Sequence, residues 1–429
     1  MKTVIMAGGR GTRMVSIASD IPKPMIRLCG KPILEHQIAC LKKNNLTDIL
    51  IITGHLGAVI EDYFGNGSRF GCTIAYYRET EALGTAGALY RIMDSLTDDV
   101  ILINGDIMFD IDFSRFIAFY HERKAHAALV VHPNSHPFDS AILLSDRENR
   151  VLQWLNKEDK RQYYKNRVNA GIHILSKHIL STLHATTEKV DLDREILKPQ
   201  LASARIFAYP TPEYIKDVGA PERYAQVTAD IETGLVQRRN LSQMQKAVFL
   251  DRDGTINTLN GFVRSPEDFE LLPGAAQAIG AINRSGYLAI VITNQPVIAR
   301  GAISLEELET IHNKMETELG KQGAYLDDLF FCPHHPDKGF PGERPEYKID
   351  CSCRKPKPGL IIAAAEKYHI DLGASYMVGD HNRDVEAGRA AGCIPVLLKA
   401  GKSRESGDPE LIFADLREFT QSLLPRGMP

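Results

Sequence analysis

Two carboxylates two residues apart, Asp251 and Asp253, close the apolar run AVFLDRDGT at 247–255. Such a run reads as a buried parallel strand that ends in a tight polar turn. Carboxylates with this spacing at the carboxyl end of a strand point the same way, into the crevice where open α/β sheets bind ligands. Asp251 can then attack phosphorus, since carboxylates form aspartyl-phosphates. Asp253 can carry protons for the leaving group and for the attacking water. Alone, DRDG is as readily a plain turn, because Asp and Gly are ordinary turn residues. Three further pieces follow in order. YLAIVITNQ at 287–295 ends in Thr293, Asn294 and Gln295, whose hydroxyl and amides suit phosphate oxygens. CRKPKPG at 353–359 offers Lys355 to neutralise a pentacovalent phosphoryl group. SYMVGDHNRD at 375–384 delivers Asp380 and Asp384, a pair suited to Mg²⁺.

A carboxylate pair, a Thr-Asn, a Lys and a GDxxxD, each after an apolar strand and in that order, resemble the haloacid-dehalogenase-type phosphatases over roughly 246–400. The resemblance implies Asp251 as nucleophile and Asp253 as general acid and base. It also implies Mg²⁺ held by Asp251, the backbone carbonyl of Asp253, and Asp380.

Four of the seven cysteines (Cys29, Cys40, Cys72, Cys393) are scattered singly and read as small buried residues. The others cluster as CPH at 332–334 and CSC at 351–353. Cys332, His334, Cys351 and Cys353 make a soft Cys₃His donor set suited to tetrahedral Zn²⁺, with His335 as the alternative ligand to His334. The stretch between them is rich in Pro, Gly and charge, cannot build a core, and needs an anchor. A disulfide is the competing explanation, and an odd cysteine count speaks against it. CPHHP followed by CxCRKP resembles the D-glycero-D-manno-heptose 1,7-bisphosphate 7-phosphatases. Histidinol-phosphate phosphatases share the zinc loop and are the nearest competitor. The family pattern favours His334 as ligand and places Arg354 and Lys355 as substrate-binding cations. Pro296-Val297 and His381 depart from that pattern.

The chain opens differently. KTVIMAGGRGTRM at 2–14 is an apolar strand running into a Gly-rich loop, where backbone N–H groups can approach phosphate. It is neither a dinucleotide fingerprint nor a P-loop. IPKPM at 21–25 mounts Lys23 between prolines, and TEALGTAGAL at 80–89 is a small-residue loop suited to a flat base. VILINGDIMFD at 100–110 delivers Asp106, and VNAGIHILS and YIKDVGAPERY follow at 168–176 and 214–224. In this order they resemble the sugar-1-phosphate nucleotidyltransferases over residues 1 to about 230. The resemblance implies that the loop (Gly8, Gly9, Gly11, Thr12) and Arg13 hold the triphosphate and that Lys23 bridges nucleotide and sugar phosphate. Glu81, Gly84 and Thr85 would bound the base pocket, Asp106 and Asp217 would hold Mg²⁺, and Asn169 and Gly171 would meet the sugar. Lys157 matches the Lys of the usual EKP element, but Asn156 replaces its Glu, and PFDSA at 137–141 also departs. In-line attack of the sugar phosphate on the α-phosphorus needs no protein nucleophile, so Lys23, Arg13 and Mg²⁺ would act electrostatically.

These elements need strands to position them. Apolar runs alternating with helical stretches, such as EELETIHNKMETELG at 306–320, predict an α/β chain of two domains, each a mostly parallel sheet flanked by helices. The expected division is a nucleotidyltransferase domain at 1–235, a polar linker without an apolar face at 236–245, and a phosphatase domain with a zinc loop at 246–429. The charged face at 306–318 reads as solvated. The first strand begins at Lys2, which leaves no room for a signal peptide, and no run approaches a membrane span. Net charge of −3 with dispersed Lys and Arg argues against nucleic acid. The expected partners are therefore small phosphorylated molecules, in a reducing cytoplasm, with the oligomeric state open. Together the resemblances imply two consecutive steps toward a nucleotide-activated heptose for lipopolysaccharide or surface polysaccharide. The first-half relatives are the D-glycero-α-D-manno-heptose 1-phosphate and mannose-1-phosphate guanylyltransferases. GTP and a GDP-heptose product follow from that resemblance.

Overall fold

The computed structural model describes residues 1–9, 21–96, 98–184, 188–259, 261–339, 341–399, 409 and 411–423. The chain forms two compact units. The first comprises Met1–His132, Leu143–Leu155 and Val168–Asn240, and the second comprises Pro133–Ile142, Asn156–Arg167 and Leu241–Pro429.

The centre of the first unit is strand Lys2–Met6, parallel to Asp48–Thr53 on one side and to Val100–Asn104 on the other. Strand Thr73–Arg78 extends the sheet in parallel, and Val168–Leu175 joins the other side antiparallel. Val4, Ile5, Ile49, Ile51, Ile101 and Ile103 are essentially without solvent contact. Their near-continuous apolar runs are what a strand covered on both faces requires. A separate two-stranded ribbon pairs Ile107–Asp110 with Tyr214–Asp217.

The second unit holds a fully parallel six-stranded sheet in the order Asp328–Cys332, Leu288–Asn294, Ala247–Leu250, Tyr376–Gly379, Ile394–Leu398, Leu411–Phe413. The first strand in sequence thus lies between the second and the fourth. That reversal of strand order opens a crevice at the carboxyl ends, where Asp251, Asn294 and Asp380 emerge.

Three sequence expectations are corrected by packing. The stretch 234–245 is not a bare connector: Leu235 and Val236 are buried in the first unit, and Leu241 and Gln245 in the second. Gln245 is held by backbone bonds to His369 and Asp371 (2.8 and 2.9 Å), so its polarity is satisfied locally. The helix Leu305–Lys321 does not present its polar residues only to water, since His312, Glu316 and Thr317 are buried. Within the same unit, Glu316 accepts from Asn166 N (2.9 Å) and pairs with the buried Arg167 (3.3 Å), which compensates its charge. Cys29 is exposed, unlike Cys40, Cys72 and Cys393, because it turns the short hairpin between Arg27–Leu28 and Lys31–Pro32.

Candidate active sites

In the first unit, the parallel pairing of Lys2–Met6 with Val100–Asn104 sets residues 7–9 beside Asn104 and Asp106. These line a cavity of about 410 Å³ together with Lys23, Glu79, Gly84 and Thr85. Pro22 and Pro24 hold Lys23 in a 3₁₀ turn, and its Nζ lies 2.5 Å from Asp106 Oδ2. The ribbon places Asp217 opposite Ile107, and Val218 N donates to Asp106 O at 3.1 Å. A Cβ on Gly219 would lie 2.7 Å from Asp217 Oδ2 and 3.6 Å from Lys23 Nζ, so Lys23, Asp106 and Asp217 converge. Arg223 also pairs with Asp217 at 3.3 Å.

Besides Asp106, the acid that faces this cavity is Glu79, which no motif marks, whereas Glu81 is exposed and not among the lining residues. Glu79 follows strand Thr73–Arg78 and its N–H bonds to Thr53 O at 2.8 Å, so sheet register aims it inward. A side chain on Gly8 would strike it, with a Cβ only 2.5 Å from Glu79 Oε2. Burial raises the Glu79 pKa against the N–H of Leu83, and Glu79 Oε1 is shielded from water with no hydrogen-bond partner among the described residues.

Asn169 is committed to the protein. Its Nδ2 donates to Asp193 Oδ2 (2.8 Å), and its Oδ1 accepts from Gly171 N and meets His173 Nε2 (both 3.1 Å). Gly171, with φ of 71°, packs so near Asn104 that a Cβ would sit 2.3 Å from its Nδ2. Burial, with Asp191, pushes Asp193 up to about 7, though its side chain keeps 31% of its surface. Lys157 is exposed and belongs to the segment Asn156–Arg167 of the second unit. Gly11, Thr12 and Arg13 lie outside the described residues.

In the second unit, Asp251, Asp380 and Asp384 offer carboxylate oxygens within 4.8 Å of one another. Lys355 Nζ sits among them, 2.9 Å from Asp251 Oδ1 and 2.7 Å from Asp384 Oδ1, and donates to Ile292 O at 2.6 Å. Burial alone would lower Lys355, but Asp251 and Asp384 outweigh it and hold it above its ordinary pKa. Burial and then Asp384 push Asp251 up to about 6 against the opposing pull of Lys355. Asp380 is likewise raised, by burial and then Asp251, and its Oδ1 has no hydrogen-bond partner among the described residues. Gly254 makes room for it, since a Cβ there would lie 2.2 Å from Asp380 Oδ2. Three crowded carboxylates and an orphaned oxygen fit a hard divalent cation.

Asn294 clamps the backbone of Lys355, donating to its carbonyl and accepting from its N–H (both 3.0 Å). Both ends of that amide are therefore used in positioning the lysine. Thr293 and Gln295 are buried and bonded to each other at 2.9 Å. Asp253 is held by its neighbours. Its carboxylate accepts from Arg252 Nε and Nη2 (3.0 and 2.8 Å), Asn257 Nδ2 (3.1 Å) and Gln295 Nε2 (3.0 Å). Arg252, fully buried between the two aspartates in sequence, was invisible as a functional residue. Only its burial beside a carboxylate marks it.

Cys332, His334, Cys351 and Cys353 form one cluster. Cys353 Sγ lies 3.2 Å from both Cys332 Sγ and Cys351 Sγ and 3.3 Å from His334 Nδ1. His335 points elsewhere, toward Asp337 at 3.7 Å. The four donors suit a tetrahedral soft cation with no open position.

Residues 2–234 match the nucleotidyl transferase family, and residues 352–419 match the HAD-hydrolase-like family. The D-glycero-beta-D-manno-heptose-1,7-bisphosphate 7-phosphatase of Salmonella typhi is 42% identical over 157 residues, which is 36% of this chain and 81% of that protein. Its counterpart from Pseudomonas putida is 39% identical over 185 residues, 42% of this chain and 99% of that protein. Among solved structures, HddC from Yersinia pseudotuberculosis complexed with GMP-PN aligns at 27% identity and a TM-score of 0.47, covering 54% of this chain and 99% of that one. The chain belongs to the nucleotidyl transferase family through its first half and to the D-glycero-beta-D-manno-heptose-1,7-bisphosphate 7-phosphatases through its second.

Proposed function

We propose that the second unit removes the 7-phosphate of D-glycero-D-manno-heptose 1,7-bisphosphate. The first unit then transfers GMP from GTP to the resulting heptose 1-phosphate, giving GDP-heptose. One observation carries this reading: a single chain holds both the Asp251–Lys355–Asp384 centre and a cavity lined by Lys23, Asp106 and Glu79. Hydrolysis at the far end of the sugar leaves the anomeric phosphate, which is the nucleophile that the other activity needs.

In the hydrolytic unit, Asp251 forms a bond to phosphorus as the sugar oxygen departs, and water then cleaves the aspartyl-phosphate. Lys355 stays beside Asp251 and faces the charge that gathers on the phosphoryl oxygens. Asp253 gives a proton to the sugar oxygen and takes one from the water. To do so it exchanges one of its present partners, Arg252, Asn257 or Gln295, for substrate. In the transferase unit, Lys23 lies between the two phosphates, and Arg13 with the loop of Gly8, Gly9, Gly11 and Thr12 holds the triphosphate. Thr85 and Gly84 line the base end.

We assign Mg²⁺ to Asp251, Asp380 and the carbonyl of Asp253, with Asp384 adjoining, and also to Asp106 and Asp217. Such ions screen phosphate charge when bound. We assign a structural Zn²⁺ to Cys332, His334, Cys351 and Cys353, a thiolate site that suits a reducing cytoplasm.

Glu79 supports guanine as the base. Guanine presents two N–H donors side by side on its pairing edge, and a carboxylate can accept both. Adenine presents a donor beside an acceptor there, and uracil a donor between two acceptors, so each would leave a mismatch in a desolvated site. Pyrophosphate release from GTP, ATP, UTP and dTTP with heptose 1-phosphate tests the assignment. GTP should be preferred by at least tenfold. Preference for another triphosphate overturns the base, and release from none overturns the transferase substrate.

A further inference from the structure

We propose that Arg252 is a positioning residue of the hydrolytic reaction and that Gln295 is its latch. Together they fix the Asp253 carboxylate so that Oδ2 is the oxygen that carries the proton. This assignment rests on the phosphatase reading above and deepens it.

The turn DRDGTIN brings most of the parts together. Arg252 O accepts from Thr255 N, Ile256 N and Asn257 N (3.3, 2.8 and 3.1 Å), which folds Asn257 back beside Asp253. Gln295 arrives from the neighbouring strand. Leu288–Asn294 runs parallel to Ala247–Leu250, so both strands end at the same edge of the sheet. Gln295 N is fixed there by a 2.8 Å bond to Cys332 O.

Arg252, Asn257 and Gln295 are buried, whereas the Asp253 side chain keeps 21% of its surface. The carboxylate is therefore the member of this group that solvent and substrate can reach. Its Oδ1 accepts from Arg252 Nε (3.0 Å), Arg252 Nη2 (2.8 Å) and Asn257 Nδ2 (3.1 Å). Its Oδ2 accepts from Arg252 Nη2 and Gln295 Nε2 (both 3.0 Å). A carboxylate oxygen has two lone pairs, so the thrice-bonded Oδ1 has no room for a proton, and Oδ2 must exchange a donor for one. Gln295 is the donor that can yield. A guanidinium enclosed by protein keeps its counter-charge, because an unpaired buried charge is costly. Gln295 is neutral and stays anchored when its bond to Oδ2 opens: its Nε2 also donates to Thr293 Oγ1 at 2.9 Å, and its Oε1 accepts from Arg252 Nη2 at 3.1 Å.

The reaction uses Oδ2 twice. As Asp251 bonds to phosphorus and the bond from phosphorus to the sugar oxygen breaks, the proton on Oδ2 moves to that oxygen. The negative charge left on Asp253 lies against the Arg252 guanidinium, which is already in place to stabilise it. Water then attacks phosphorus and gives a proton back to Oδ2. The bond from phosphorus to Asp251 breaks, which releases phosphate and restores both carboxyl groups. Lysine at position 252 would supply the charge but not the planar fork that orients the carboxylate. An ion pair that served the fold alone would affect every leaving group alike.

The test compares Arg252→Gln, Arg252→Lys and Gln295→Leu in the full chain. The substrates are heptose 1,7-bisphosphate, fructose 1,6-bisphosphate and p-nitrophenyl phosphate. Nitrophenolate leaves as a stable anion and needs no proton, whereas a sugar oxygen does. Arg252→Gln should lower kcat for the sugar phosphate by roughly a hundredfold, the scale of general acid–base catalysis, with little change in KM. The aryl ester should keep its first turnover within about threefold of wild type and then stall, because the water step still needs Asp253. Stopped-flow absorbance should therefore show a burst of about one nitrophenolate per chain. Arg252→Lys should regain part of the sugar-phosphate kcat. Gln295→Leu removes no buried charge and should cost the sugar phosphate about tenfold, with the first aryl turnover again spared. Should Arg252→Gln lose its thermal unfolding transition, Gln295→Leu decides by the same criteria. In a folded variant, equal loss on sugar and aryl esters without a burst, or no loss on the sugar phosphate, overturns the positioning role, and wild-type hydrolysis of the heptose then leaves the phosphatase reading intact. If the wild type rejects the heptose but hydrolyses fructose 1,6-bisphosphate, and the variants show the selective loss, the positioning role stands and the heptose reading fails. A wild type that acts on the aryl ester alone, or on none of the three, overturns both.

Discussion

Lys355 keeps its charge in a fully enclosed position because two carboxylates face it, and Asp251 is one of them. Asp251→Asn therefore removes the attacking oxygen and half of the lysine's compensation. Phosphate release should fall by about 10⁴-fold or more, as for lost nucleophiles generally. Nucleotidyl transfer by the same preparation should persist, which also reports that the chain is folded. Asp106→Asn, which removes the partner of Lys23 in the other unit, should show the reverse pattern. A single assay series for pyrophosphate and phosphate decides it, and loss of both activities in either variant would contradict independent sites. At Glu79, the isosteric Glu79→Gln exchanges one acceptor oxygen for a donor. Transfer from GTP should drop by roughly ten- to a hundredfold in kcat/KM, the usual cost of a mispaired polar group in a specificity pocket, while ATP should gain relative to GTP. An unchanged ratio would remove Glu79 from base selection.

At the scale of elements, the cysteine loop and the turn around Asp193 are the testable pieces. Residues 333–350 contain little that could form a core, so the Cys₃His cluster should carry one zinc per chain. Cys351→Ser should lose that metal and raise proteolysis within the loop. Metal analysis that finds no zinc in wild-type protein would contradict it. Asp193 has a folded pKa raised to about 7 by burial and Asp191, so the folded state holds its proton more tightly than the unfolded chain. That contribution to stability is complete below the ordinary carboxylate range and is lost as pH rises through about 7. Asp193→Asn mimics the protonated form, so its Tm relative to wild type should climb from pH 5 to pH 8. Parallel Tm profiles would refute the shift. These elements also explain what could be read from sequence. Asp106, Asp251 and Asp380 were legible because each lies within two residues of the end of an apolar strand, and strand ends aim side chains into the crevice. Glu79 and Arg252 were not, because their roles depend on partners brought in by sheet register and burial. Asn294 was assigned to phosphate from its residue type, and its amide has a further task in holding the backbone of Lys355. The burial of Glu316 escaped notice because its compensating charge, Arg167, lies far away in sequence.

For the whole molecule, nucleotidyl transferase and phosphomonoesterase sequences occupy successive halves of one chain. Among the described residues, no helix is long and apolar enough to cross a membrane. The central claim is that the two activities are consecutive, the second using what the first releases. The most direct measurement supplies the purified chain with heptose 1,7-bisphosphate, GTP and Mg²⁺ and no other enzyme, and follows phosphate, pyrophosphate and nucleotide sugar together. Heptose 1-phosphate should appear first, followed by GDP-heptose and an equal amount of pyrophosphate. Release of the anomeric phosphate in place of the 7-phosphate, or phosphate release with no nucleotide sugar formed from any triphosphate, would contradict it.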